Sequence, residues 1–139
     1  MGQGRVKYEQ LAVNAFNSHR KRMSVLLCNH ITNEYILLCK GADVNMLPLL
    51  NINALQRART EDQLYQYAVT GLRTLVIAQK KISEEDALTW LAQYREAGSS
   101  MSGRSRLLDK CAESIEQNME LLGVTAIEDK LQDDVPAVI

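Results

Sequence analysis

Three short segments carry the residue types that could hold a phosphorylated aromatic ligand. In Phe16-Asn17-Ser18-His19-Arg20-Lys21-Arg22-Met23-Ser24-Val25 an aromatic ring is followed by polar and basic side chains before an apolar run begins. A base can stack on such a ring for about 1–3 kcal/mol, and cations beside it can meet phosphates. In Lys40-Gly41-Ala42-Asp43 a lysine precedes two tiny residues, over which another group can approach the backbone closely. In Gly71-Leu72-Arg73-Thr74-Leu75 the arginine can fork onto a phosphate and the threonine can donate its hydroxyl. Each segment also has an ordinary reading. These are a core phenylalanine followed by a solvated basic turn, a strand-to-helix turn capped by Asp43, and a helix end running into a strand. Taken singly, the residues favour the ordinary readings.

Other chemistry finds no support. There is no Gly-x-Ser-x-Gly elbow, no cysteine with a plausible histidine partner, no Walker A sequence and no Gly-x-Gly-x-x-Gly. His19 and His30 lie in or beside polar stretches and read as exposed side chains. The acids at 84–86 read as helix capping, and those at 128–134 as a solvated end, so no metal site is expected. Sixteen basic residues stand against 17 acidic ones, for a net charge of -1, which excludes the large single-sign field of a nucleic-acid binder. Three cysteines (Cys28, Cys39 and Cys111) are too few and scattered for a disulfide framework or a zinc site and point to a reducing compartment. Val6 stands where a myristoylation signal beginning at Gly2 needs Ser or Thr. No run approaches the roughly 20 apolar residues that span a bilayer, so the chain as it stands reads as soluble.

The elements that must position these segments follow from periodicity. Tyr8 to Phe16 suits a strand. Arg22–Asn29 and Glu34–Cys39, joined by His30-Ile31-Thr32-Asn33, read as a β-hairpin with Cys28 and Cys39 as near neighbours on a packed face. Asp43 is expected to cap a short helix through Leu50. Thr60-Glu61-Asp62-Gln63 has the form of a capping box opening a helix that stops at Gly71. Arg73 to Ile82 returns to strand character. Ser83 opens a helix that ends near Gly98, with acids in its first turn, where the helix dipole favours them. After a flexible break at 99–103, Leu108, Cys111, Ile115, Met119 and Leu122 predict a second long helix, ended by Gly123 and followed by a short strand, 124–127. The pattern implies an α+β domain, an antiparallel β-sheet flanked by helices.

Together and in this order, F-N-S-x-R-K-R-M-S-V, K-G-A-D and G-L-R-T-L resemble the nucleotide-binding domain of P-type ATPases. A fourth stretch, Leu121 to Pro136 (L-L-G-V-T-A-I-E-D-K-L-Q-D-D-V-P), is similar to the L-L-G-A-T-A-I-E-D-K-L-Q-x-x-V-P signature of the type IV branch, the phospholipid flippases. Ion-pumping relatives carry an Asp-Pro-Pro-Arg type sequence where Asp129-Lys130-Leu131-Gln132 stands. The resemblance runs from about Tyr8 to Pro136 and is least distinctive between Asn51 and Tyr67.

The resemblance implies that Phe16 stacks on adenine and that Lys40 sits at the back of the pocket, with Gly41 and Ala42 keeping the wall low. It implies that Arg73 contacts the phosphates with help from Thr74, and that Ser18 and Lys21 are secondary contacts. The implied ligand is ATP, with Mg bound by the parent mostly through residues outside this chain. No catalytic residue is expected here. The family's Asp-Lys-Thr-Gly-Thr, whose Asp accepts the phosphoryl group, is absent, as are the acidic motif that precedes this region, the later Thr-Gly-Asp, the magnesium-binding aspartates and every membrane helix. The chain is therefore expected to bind ATP weakly and not to hydrolyse it, and to serve an ATP-driven phospholipid-translocating parent.

The expected division is 1–7 as a flexible or added start, 8–128 as a partial nucleotide-binding domain, and 129–139 as a hinge toward the phosphorylation domain. Phospholipid is met only through the parent's membrane domain, a transmembrane accessory subunit is admitted, no nucleic acid is bound, and the fragment is expected to be a monomer. The implied location is the cytosolic side of an integral membrane protein. Two other readings stand beside this one. The first is a degenerate pump-like domain kept as a regulatory or interaction module. The second, disfavoured because the family continues past Val135-Pro136, is a free-standing nucleotide-binding protein.

Overall fold

Five runs rich in branched side chains pair in chain order into one sheet, β1-β2-β3-β4-β5, in the computed structural model, which describes residues 7–128. They are β1 (Glu9–Asn14), β2 (Arg22–Asn29), β3 (Glu34–Gly41), β4 (Leu72–Ile82) and β5 (Glu120–Glu128). Each strand runs antiparallel to its neighbour. Four α-helices fill the connections: α1 (Asp43–Met46), α2 (Ala54–Val69), α3 (Glu84–Gly98) and α4 (Arg104–Ile115). This is the α+β architecture expected from the pattern of runs.

Alternation along β2 sets the two faces of the sheet. Ser24, Leu26 and Cys28 are buried, while Met23, Val25 and Leu27 remain half-buried. Leu26, Leu37, Val76 and Ala78 form one cluster with Met46, Leu64, Trp90 and Ile115 from the helical segments. Burying one such side chain is worth about 1.5–3 kcal/mol. The opposite face keeps Val25, Leu38 and Ile77 half-buried. One face therefore carries the helices and the other stays open. Among the described residues no helix is long and apolar enough to cross a membrane.

The hairpin of β2 and β3 forms where expected, with Asn33 in the left-handed region at φ 56. Several local expectations are corrected. Ala42 is the cap of α1 and no side chain caps it; Asp43 is the first helical residue, and its carboxylate instead accepts from the Val44 amide at 2.8 Å. The capping box of α2 is Asn53 with Gln56, seven residues before Thr60. Thr60 lies inside the helix, buried, its hydroxyl donating to the Gln56 carbonyl at 2.8 Å. The last helix stops at Ile115, because Glu116 leaves helical geometry (φ -83, ψ 64). Met119 is fully buried as the periodicity suggested, yet it lies outside the helix, bridging Leu50 just before β5. Cys28 and Cys39 are both buried but are not cross-strand neighbours: Cys28 faces Tyr35 and Cys39 faces Ser24. The expected hinge at 129–139 and residues 1–6 of the expected start lie outside the described residues.

Candidate functional site

Antiparallel pairing brings the three sequence-predicted segments to one end of the sheet. Phe16, Ser18 and Lys21 lie in the connection between β1 and β2. Lys40 and Gly41 end β3, while Arg73 and Thr74 begin β4. Met23 pairs with Lys40, Lys40 with Ile77, and Ile77 with Gly123, a row across four strands. Lys40 is flanked along its strand by buried Cys39 and Gly41, so its exposed side chain belongs to the open face. Arg73, four residues before Ile77 and also exposed, has the same parity, about 13 Å along the strand. Thr74 has the other parity. Phe16 is 63% exposed, so it is not a core residue. An aromatic ring and two cations thus stand at one sheet end, and the two cations share one face.

The Phe16 segment is shaped by its own hydrogen bonds. The Asn17 side-chain oxygen accepts from the amides of His19 (3.0 Å) and Arg20 (2.7 Å). Lys21 then takes a left-handed φ of 52, with its amide donating to the Asn17 carbonyl at 2.8 Å. Its carbonyl accepts from the Ala42 amide at 3.0 Å, which joins the turn to the Lys40-Gly41-Ala42 segment. Gly41 is buried there. A Cβ on it would stand 2.4 Å from Arg22 Cβ and 2.7 Å from the Lys21 oxygen. The close approach that the sequence suggested at Gly41 is therefore made by the protein's own chain.

Sequence reasoning missed the residues beneath this segment. The Glu116 carboxylate accepts from Arg20 at 2.5 Å, Arg22 at 2.6 Å and Ser24 at 2.5 Å, and all four residues are buried. Asn17 Nδ2 donates to Asp109 Oδ1 at 3.1 Å. A signal existed for both arginine and glutamate. Arg22 has the parity of buried Ser24 and Leu26, and Glu116, just past the end of α4, falls four residues after buried Ala112 and one after buried Ile115.

A cavity of about 390 Å³ lies beside Phe16 on the helix side, lined by Val13, Asn17, Arg20, Tyr94 and Asp109 among others. Lys40 and Arg73 do not line it. His19 and His30 are exposed, and the His30 ring meets the Glu9 carboxylate. Among the described residues no three His, Cys, Asp or Glu side chains gather as a metal site.

With this geometry in place, comparison with known proteins is specific. The family described as "P-type ATPase, cytoplasmic domain N" matches residues 1–134. The chain is 40% identical over 146 residues to the human protein named phospholipid-transporting ATPase VA, covering 98% of this chain and 10% of that one. It is 42% identical over 139 residues to phospholipid-transporting ATPase IK of Mus musculus, covering 100% and 10%. It is 43% identical over 134 residues to phospholipid-transporting ATPase DRS2 of Saccharomyces cerevisiae, covering 96% and 10%. The chain thus spans about a tenth of the length of these relatives.

Proposed function

The chain belongs to the P-type ATPases as their cytoplasmic N domain, and from that premise we propose that it is the ATP-binding part of a phospholipid-translocating pump. In this reading Phe16 stacks on adenine, and Lys40 stands beside the nucleotide. Arg73 meets the phosphates with Thr74 nearby, Ser18 and Lys21 are secondary contacts, and Gly41 and Ala42 keep the wall low. The observation that carries the proposal is the placement of Lys40 and Arg73 on one open sheet face, at the end where the exposed Phe16 sits.

The reaction would be completed elsewhere in the parent, on an aspartate outside this chain, so the isolated fragment binds ATP without hydrolysing it. The site offers a ring and cations rather than the oxygen ligands magnesium takes. Magnesium would therefore be held mostly by parent residues outside this chain. The relatives' names support a phospholipid as cargo, handled by membrane segments of the parent, on whose cytosolic side this domain would stand. An accessory subunit of the parent would be transmembrane. Residues 8–128 are taken as the partial nucleotide-binding unit, a monomer by itself, and 129–139 as its return hinge. Relatives named as transporters, matched over nearly the whole chain, disfavour a degenerate regulatory module.

Titrating ATP into the ¹⁵N-labelled chain tests the reading. Amide shifts should concentrate around Phe16, Lys40 and Arg73; a spectrum that ATP leaves unchanged there would sink it.

A further inference from the structure

We infer that Glu116 is a positioning residue for the nucleotide site, holding the Phe16–Met23 segment in its binding shape from the far end of α4. The inference rests on the reading of Phe16 and Lys40 as nucleotide contacts. Glu116 is 0% exposed, and it lies 92 to 96 residues along the chain from its partners. One carboxylate oxygen takes Arg20 Nη2 and Ser24 Oγ, both at 2.5 Å; the other takes Arg22 Nε at 2.6 Å. Arg20 carries the restraint onward, because its Nη1 donates to the Ala15 carbonyl at 2.7 Å. That carbonyl belongs to the peptide joining Ala15 to Phe16. The path from the carboxylate to the aromatic residue is thus one guanidinium long.

A second branch reaches the lysine. Arg22 Cβ occupies the space that a side chain on Gly41 would need, so the placement of Arg22 sets that of Gly41 and of Lys40 beside it. A separate tie from α4, Asp109 to Asn17 at 3.1 Å, holds the turn between these branches. A buried network of two arginines and one glutamate is a poor stability device, because desolvation offsets much of the attraction. It does fix geometry, since each donor direction is specified. The local path of the chain agrees with this role: α4 ends at Ile115, and Glu116 turns out of the helix next to it.

The test compares ATP affinity, read by NMR titration of the chain, among three variants. Glu116→Gln keeps the volume and removes the charge. It should weaken ATP binding by about 2- to 30-fold, the range of coupling such a residue can carry, and should shift the Phe16 and Lys40 amides before any nucleotide is added. Leu64→Ala on α2 lies outside the network and should lower stability while leaving the ATP affinity of the folded protein unchanged. If Glu116→Gln yields no folded protein, Asp109→Ala cuts the second tie and should weaken ATP in the same direction. A folded Glu116→Gln with unaltered affinity, a Leu64→Ala that weakens ATP equally, or in the fallback case an Asp109→Ala without effect, overturns the inference. A wild-type chain that ATP does not perturb fails differently, because it removes the nucleotide reading itself and this inference with it.

Discussion

The Cβ that Gly41 lacks would stand 2.4 Å from the Cβ of Arg22, its pairing partner on β2. Backbone atoms crowd the same space, with the Lys21 oxygen at 2.7 Å and Arg22 Cα at 2.9 Å. No rotamer change relieves that, so the strands must part. Gly41→Ala should cost about 1–3 kcal/mol, read as a lower midpoint of thermal unfolding. It should also move the amide resonances of Lys21 and Ala42, whose mutual hydrogen bond lies in the path. An alanine variant as stable as the wild type would contradict this packing.

The start of α2 separates two cap assignments. Asn53 and Gln56 exchange side-chain and backbone hydrogen bonds at 2.8 and 3.1 Å, whereas Thr60 lies within the helix. Asn53→Ala should therefore cost about 1 kcal/mol. Thr60→Val removes only a hydroxyl that donates back to the Gln56 carbonyl, so its cost should be smaller. Urea unfolding of the two variants measures both, and the reverse ranking would place the helix start at Thr60.

These corrections show what the sequence made legible. The strands at Arg22–Asn29 and Glu34–Cys39 were plain from their apolar runs, whose residues alternate in the structure between a buried and a half-buried face. The three candidate ligand-binding segments were legible as residue types. Their convergence was not, because it depends on the pairing of β3 with β4 across a 30-residue excursion from Ala42 to Gly71. Thr60-x-x-Gln63 satisfied a local motif that Asn53-x-x-Gln56 satisfied as well, and tertiary packing of Leu64 allowed the longer helix. The helical spacing of Met119 and Leu122 misled for a related reason. Met119 is buried, but the chain before it turns at Glu116, whose partners lie on β2 and in the turn preceding it. The spacing from buried Ala112 and Ile115 marks Glu116 as inward-facing, but nothing local names partners more than ninety residues away.

Cys39 gives the fold a distinct alkaline limit. Burial, reinforced by the Glu116 carboxylate, pushes its thiol from 9.0 up to about 12, against the opposing pull of Arg22 and Arg20. Between these values the unfolded chain releases the proton while the native chain keeps it, so the unfolded state binds fewer protons and stability falls as pH rises. Stability should therefore decline from about pH 9 toward 12, measured by urea midpoints across that range, and Cys39→Ala should flatten part of the decline. In the native protein near neutral pH, the half-buried Cys111 should react with a thiol reagent before Cys28 or Cys39, both of which are buried. Labelling followed by peptide mapping checks the order, and early modification of Cys39 would deny its burial.

The last prediction separates the aromatic from the cationic part of the proposed site. Stacking on a ring depends little on salt and applies to any ligand carrying the base. An arginine that meets phosphates acts only on the phosphorylated ligand and is screened by ions, with a Debye length of about 10 Å at 0.1 M. Phe16→Ala should therefore weaken adenosine and ATP alike, by roughly 5- to 150-fold for 1–3 kcal/mol of stacking. Arg73→Gln should weaken ATP but not adenosine, and its effect should shrink as salt rises. Both residues are exposed, so neither change should unfold the protein, and a matched thermal midpoint confirms that. If Arg73→Gln weakened adenosine as much as ATP, Arg73 would not face the phosphates. If Phe16→Ala left adenosine binding intact, the base would lie elsewhere, and the helix-side cavity lined by Asn17 and Tyr94 would be the next place to look for its amide shifts.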